Sequence, residues 1–223
     1  ILSAGESVGE SVVHWIAETF DGAAVHEGYG QTEAMDLVMD CSALFPSKPG
    51  KMGRPTPGVD VRIVDVDAAE TGDFAALGPG DVGEIAVRYG EGHPLCFQEY
   101  WNKPGKTAGK VVEGWLLTED LGFVDEEGYY EFVGRKDDVI LCSGYRIGPE
   151  EVEEAVGRHE AVVAAGVIGV PDDDHGEVPK AFVQVREGYD ADDELAEDLK
   201  AFVKGRLAMY EHPRIVEFVD ELP

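Results

Sequence analysis

Apolar residues Val8, Val12, Val13, Ile16 and Phe20 recur at helical spacing before Asp21-Gly22, which predicts an amphipathic helix and then a short buried strand over 23–26. Further on the period changes to two. Val59, Val61, Ile63 and Val64 predict one strand and residues 82–87 another, with 121–124 and 129–133 joined by the hairpin turn Asp125-Glu126-Glu127-Gly128. The run Val139-Ile140-Leu141 reads as a brief buried strand. Beyond it, Pro149 opens a helix over 149–158, with Val152 and Val156 inside and acids in its first turns. Residues 162–170, 178–185 and 214–219 read as strands. An amphipathic helix spans 192–207, with Leu195, Leu199, Phe202, Val203 and Leu207 as its stripe.

The two patterns meet at a charged turn, Arg135 to Asp138, which reads as a domain boundary: an α/β region over 1–136 and a small α+β unit over 137–223. With 223 residues the chain is long enough for one large or two small domains. Acids outnumber bases 46 to 18, a net charge of −28, which argues against nucleic acid as a partner because a phosphate backbone needs a basic face. Spread over a chain of ordinary apolar content, that charge fits a halophilic surface working in concentrated salt, where screening is short-ranged. Cys41, Cys96 and Cys142 are odd in number and form no Cys-x-x-Cys, so reduced thiols in a cytoplasmic setting are expected. No apolar run reaches the roughly 18 residues of a membrane span. Ile1 enters mid-pattern, so the sequence reads as a piece of a longer chain.

Two stretches carry chemistry. In Glu27-Gly28-Tyr29-Gly30-Gln31-Thr32-Glu33 the glycines admit close approach of backbone to a ligand, while taken alone the stretch reads equally as a glycine turn followed by a Thr/Glu helix start. Thr32 brings a hydroxyl and Glu33 a hard oxygen suited to Mg²⁺. In the second stretch, Arg135 and Arg146 are planar cations suited to a phosphate or a sugar diol. The aspartates at 172–174 lack the glycine and distal glutamate of a calcium loop and read as a solvated turn.

Gly-Arg-x-Asp-Asp followed by Ser-Gly-Tyr-Arg-Ile-Gly-Pro at 143–149 resembles the hinge region of the adenylate-forming enzymes, with wording nearest the medium-chain acyl-CoA synthetases. Gly-Tyr-Gly-Gln-Thr-Glu at 28–33 is similar to that family's nucleotide motif, and Ser-Ala-Gly-Glu at 3–6 to its adenine-side loop. The resemblance runs over essentially the whole chain, with the motifs in the family's order. It implies the end of a large AMP-binding domain with a small β-barrel subdomain over about 45–135, then a mobile C-terminal domain. It also implies ATP-dependent conversion of a carboxylic acid to acyl-AMP and then to acyl-CoA, with ATP/AMP, Mg²⁺ and coenzyme A as cofactor and substrates. By that resemblance Thr32, Glu33 and Arg146 are catalytic, with Glu33 on the metal. Gly5, Glu6, Glu27, Gly28, Tyr29, Gly30, Gln31, Thr32, Asp120 and Arg135 bind nucleotide, and Asp137 is the hinge. Ser143, Gly144, Tyr145 and Arg214 face coenzyme A.

Gly30 stands where acetyl-specific members carry a tryptophan, which implies an open acyl pocket. At about 0.8 kcal/mol per methylene, four more carbons are worth roughly 3 kcal/mol, so medium-chain, branched or aryl acids are expected over acetate. Glu119 departs from the pattern, since the family reads Thr-Gly-Asp where this chain has Thr118-Glu119-Asp120. The family's phosphate loop and the lysine that follows a Leu-Pro like Leu222-Pro223 do not occur in the sequence, so the chain is expected to be inactive alone. The alternatives are a non-catalytic nucleotide- or CoA-binding module, or another adenylating enzyme such as a peptide-synthetase adenylation domain.

Overall fold

The computed structural model describes all residues except Glu6, Ser7, Gly9, Glu91 and Pro223, and the side chains of Glu10 and Ser11. The chain divides into two compact units, Ile1–Phe132 and Val133–Pro223.

The first unit begins with a parallel crossover: β1 (Leu2–Ala4), α1 (Glu10–Thr19) and β2 (His26–Gln31), with Ser3 opposite Glu27 and Ala4 opposite Gly28. β3 (Ala34–Met39) and β4 (Arg54–Pro55) extend this sheet in the order β1-β2-β3-β4. The strand expected over 23–26 starts instead at His26 and runs through the glycine motif. Gly28-Tyr29-Gly30-Gln31 is thus extended chain, not a turn, and Thr32-Glu33 is the turn into β3 rather than a helix start. Along α1 the expected inner stripe is divided, because Val13 and Ile16 are half-buried while Val12 and Phe20 are 46% and 52% exposed.

The second sheet of this unit is antiparallel. β5 (Val61–Val64) leads through the short α2 (Ala68–Thr71) to β6 (Gly83–Arg88). α3 (Pro104–Lys110) then leads to β7 (Val111–Val112), β8 (Trp115–Val124) and β9 (Tyr130–Arg135). The order is β5-β6-β8-β7, with β9 also on β8. The hairpin turn forms where expected: Asp125 Oδ1 accepts from Glu127 N and Tyr129 N, and Gly128 takes φ +84°. Leu37, Val38, Ile63, Ile85, Val87 and Leu116 form the core beneath the two sheets.

In the second unit β10 (Ile140–Cys142) and β11 (Tyr145–Ile147) form a hairpin, followed by α4 (Pro149–Gly157). β12 (Val162–Asp172) pairs with β13 (Gly176–Val185), and α5 (Asp193–Lys204) and β14 (Ile215–Phe218) complete the unit. Asp192 caps α5 by accepting from Leu195 N at 3.0 Å. Its stripe lands as the period requires: Leu199 and Val203 are fully buried, with Leu195, Phe202 and Leu207 packed beside them. Asp172 accepts from the N–H groups of Asp174 and His175, so the aspartate run is a hydrogen-bonded turn. Among the described residues no cluster of metal-ligating side chains occurs, no helix is long and apolar enough to cross a membrane, and all three cysteines are free.

Candidate active site

Two residues of β2, Tyr29 and Gln31, meet two of β8, Thr118 and Asp120, that lie 87–91 positions further along the chain. Tyr29 donates its hydroxyl to Asp120 Oδ2 at 2.6 Å, and Gln31 Nε2 donates to the same oxygen at 3.2 Å and to the Thr118 carbonyl at 3.0 Å. Alternation along β2 puts Tyr29 and Gln31 on one face. The Tyr29 ring packs against Phe132 at 6.4 Å. Burial and the neighbouring Asp120 carboxylate push the Tyr29 phenol well above its ordinary range, so it stays a donor. Asp120 is itself buried, at 8% exposure. The result is a fixed carboxylate with two donors behind it, an arrangement suited to accepting from a pair of hydroxyls.

Gly30 lies at a register break between Tyr29 and Gln31. A Cβ there would stand 2.7 Å from Asp36 N and 2.9 Å from the Ala34 carbonyl, so the returning backbone of the β2–β3 hairpin requires glycine. That local requirement accounts for the residue without reference to a pocket.

Beyond the hairpin, Thr32 is exposed, and the Glu33 carboxylate accepts from the Tyr100 hydroxyl. Burial pushes the Glu33 carboxyl up. The Tyr100 hydroxyl, its own backbone N–H and the Lys110 and Lys106 ammonium groups outweigh that and hold it below the ordinary range. An ionised, half-exposed carboxylate results.

Gly5 takes φ +101°, which favours glycine, while Glu6 lies outside the described residues. Glu27 is turned to the chain itself: it is 9% exposed and accepts from Val8 N at 3.3 Å and Gly50 N at 3.4 Å. Burial raises its carboxyl above the ordinary range despite these bonds, with the Asp40 charge adding to the rise. Because the fold binds this proton more tightly than the unfolded chain, stability is lost as pH rises from the ordinary glutamate range through the raised value. Glu27→Gln, which resembles the protonated group, is expected to match the parent near pH 4 and exceed it at pH 7. Thermal unfolding at both pH values checks this, and an advantage at pH 4 that vanishes at pH 7 would reverse the assignment.

In the second unit the Arg135 guanidinium bonds Asp137 at 2.9 Å and 3.4 Å, in the turn after β9. Ser143 and Gly144 are the two central residues of the β10–β11 hairpin, at φ +51° and +86°. The Ser-Gly pair therefore satisfies a two-residue turn with both residues left-handed. Tyr145 stacks face to face on Tyr210, with centroids 4.0 Å apart and planes at 8°. Arg146 stands on β11 opposite Leu141, and Arg214 enters β14 with its N–H on the Pro179 carbonyl at 2.9 Å. The hairpin thus gathers Ser143 to Arg146, while Arg214 stands on another strand's approach.

Four residues of the first-unit site were given no role by the sequence: Tyr100, Lys110, Glu84 and Thr118. Glu84 lies within residues 82–87, which read only as a strand. Its burial, with 2% exposed, marks it as a polar anchor.

Known proteins define the class. The family model described as AMP-binding enzyme matches residues 1–101, and that of the AMP-binding enzyme C-terminal domain matches residues 151–223. The acetyl-coenzyme A synthetase of Bacillus subtilis is 39% identical over 100% of this chain and 38% of its own length. The mitochondrial acyl-coenzyme A synthetase ACSM3 of Pongo abelii is 42% identical over 100% of the chain and 37% of its own length. ATP-bound MatB from Rhodopseudomonas palustris superposes with a TM-score of 0.83 at 31% identity, over 100% of this chain and 42% of that one. The chain belongs to the AMP-binding, adenylate-forming superfamily, whose α/β fold it shares. It spans about two-fifths of the length of the relatives it matches.

Proposed function

We propose that the protein to which this chain belongs is an AMP-forming acyl-CoA synthetase. The observation that carries the reading is the Tyr29–Asp120–Gln31 arrangement, a buried carboxylate positioned by two donors, in a chain whose relatives are named acyl-CoA synthetases. Asp120 accepts from the ribose hydroxyls and Arg135 steadies the sugar. Thr32 and Arg146 offset charge at the α-phosphate, which places the phosphorus for in-line attack. A carboxylate oxygen of the acid then attacks it, and pyrophosphate leaves with the electrons of the broken P–O bond. In the second step the thiol of coenzyme A, approaching along Ser143, Gly144 and Tyr145 with Arg214 on a CoA phosphate, attacks the acyl carbon and AMP departs.

The residues fit Mg²⁺ in the manner of nucleotide sites, where one or two carboxylates share the ion with substrate phosphates and water. Glu33 is the ionised carboxylate that would hold it, and the ion would supply charge neutralisation at the phosphates. The substrate class rests on the resemblance alone: Gly30 stands where acetyl-specific members carry a tryptophan, and medium-chain, branched or aryl acids are the proposed substrates.

The test is acid-dependent pyrophosphate release by the intact protein in molar salt, with and without coenzyme A. Release with hexanoate or benzoate above that with acetate, and thioester only when coenzyme A is added, is expected. Asp137→Pro, which fixes φ at the turn after β9, is expected to keep pyrophosphate release and lose most thioester formation. Nucleotide binding with no release for any acid would instead favour a non-catalytic binding module.

A further inference from the structure

We propose that Lys110 and Glu119 are positioning residues, whose ion pair holds the bulge of β8 that presents Asp120 to a nucleotide ribose. This rests on the nucleotide-binding reading above and adds to it a pair that the motifs do not contain.

The bulge is visible in the strand register. Leu121 stands opposite Glu84 and Leu117 opposite Ala86, so Thr118, Glu119 and Asp120 together face Ile85 alone. Glu119 carries the strain of that insertion at φ +66°, a left-handed conformation that a glutamate rarely adopts. Four hydrogen bonds, beside that of Gln31, hold the backbone there. Thr118 Oγ1 donates to the Ile85 carbonyl at 2.7 Å, Asp120 N donates to Thr118 Oγ1 at 3.2 Å, and Glu119 N donates to Glu84 Oε1 at 3.0 Å. The fourth comes from Lys110, the last residue of α3, whose Nζ donates to the Thr118 carbonyl at 3.0 Å.

Lys110 is only 5% exposed, and an ammonium that deeply placed needs a counter-charge. Glu119 supplies it at 2.9 Å. The bulge residue in the strained conformation is therefore also the residue that pairs with Lys110 and holds it in place. The coupling to the site is direct, because the Thr118 carbonyl is shared. It accepts from Lys110 and from Gln31 Nε2, and the same Gln31 amide donates to Asp120 Oδ2. Displacing Lys110 frees the carbonyl, lets Gln31 shift, and unsettles the oxygen that both Gln31 and Tyr29 steady.

The readout that separates positioning from general stability is discrimination between ATP and 2′,3′-dideoxy-ATP, which lacks the hydroxyls Asp120 is taken to hold. In the intact protein the parent is expected to bind ATP more tightly. Lys110→Met is expected to weaken ATP about tenfold, the scale of one charge-assisted hydrogen bond, while dideoxy-ATP stays within about twofold, so that discrimination collapses. Glu119→Gln, which keeps one acceptor for Lys110 and the same backbone strain, is expected to fall between, with circular dichroism and thermal melts showing both variants folded. Equal loss for both nucleotides, or full discrimination in both variants, overturns the positioning role. A parent that binds the two nucleotides alike overturns the ribose assignment of Asp120 itself.

Discussion

Asp120→Ala is expected to lower ATP affinity of the intact protein by about a hundredfold, the scale of losing two hydrogen bonds to a charged acceptor. The same change removes the acceptor of the Tyr29 hydroxyl and one of the two acceptors of the Gln31 amide, which keeps the Thr118 carbonyl. An unfilled buried donor costs about 1–3 kcal/mol, so a drop in thermal midpoint accompanies the loss of binding. Asp120→Asn separates the two effects: it keeps the shape and one acceptor oxygen but loses the charge, so binding falls while the midpoint moves less. Calorimetric titration with ATP, beside thermal unfolding, measures both. ATP affinity within threefold of the parent in Asp120→Ala would show that the carboxylate faces the protein and not a ligand.

The largest effect on folding is expected at Gly53. It takes φ +101° and pairs with Tyr130, its carbonyl accepting from Tyr130 N at 2.9 Å, while Met52 N donates to the Tyr130 carbonyl at 2.9 Å. This bridge ties the β4 end of the first sheet to β9 of the second. A Cβ on Gly53 would overlap the Met39 carbonyl and Asp40 N, all of it backbone with no rotamer to yield. Gly53→Ala therefore combines an unfavourable φ with overpacking, and a loss of more than about 4 kcal/mol is expected. Gly50→Ala, three residues earlier, shares the positive φ (+77°) but has open space at its Cβ, and about 1 kcal/mol is expected there. Denaturant titration of the two variants compares the terms, and equal losses would mean that φ alone governs this loop.

The secondary structure of the second unit was close to legible. The stripe of α5, Pro149 at the start of α4, and the alternation along β13 are local patterns, and burial in one core rewards each as the period requires. The glycine motif shows where local reading fails. Glu27 to Gln31 carries two glycines and reads as a turn, yet it is a strand because β1 and β3 pair with it on either side. Pairing partners outside the window override weak local preference. Gly53 lies in a Pro- and Gly-rich stretch with no apolar period, and only the Met39 backbone facing it shows why glycine is demanded.

For the site, the sequence by itself determined the chemical groups: the Tyr29-to-Glu33 motif, Asp120, and Arg135 to Arg146 with their order along the chain. Residue type and spacing in a motif survive without coordinates, and so the family was readable. The tertiary structure decided which groups act together. Tyr29 and Asp120 are 91 residues apart, Glu33 and Tyr100 67, Glu119 and Glu84 35, and each pair is joined by a hydrogen bond. It also decided that Glu27 serves the backbone, and that Glu119, which the sequence shows only as a misplaced charge, answers a buried lysine. Hydrogen bonds and ion pairs depend on distances of about 3 Å, set by sheet register and burial rather than by position along the chain.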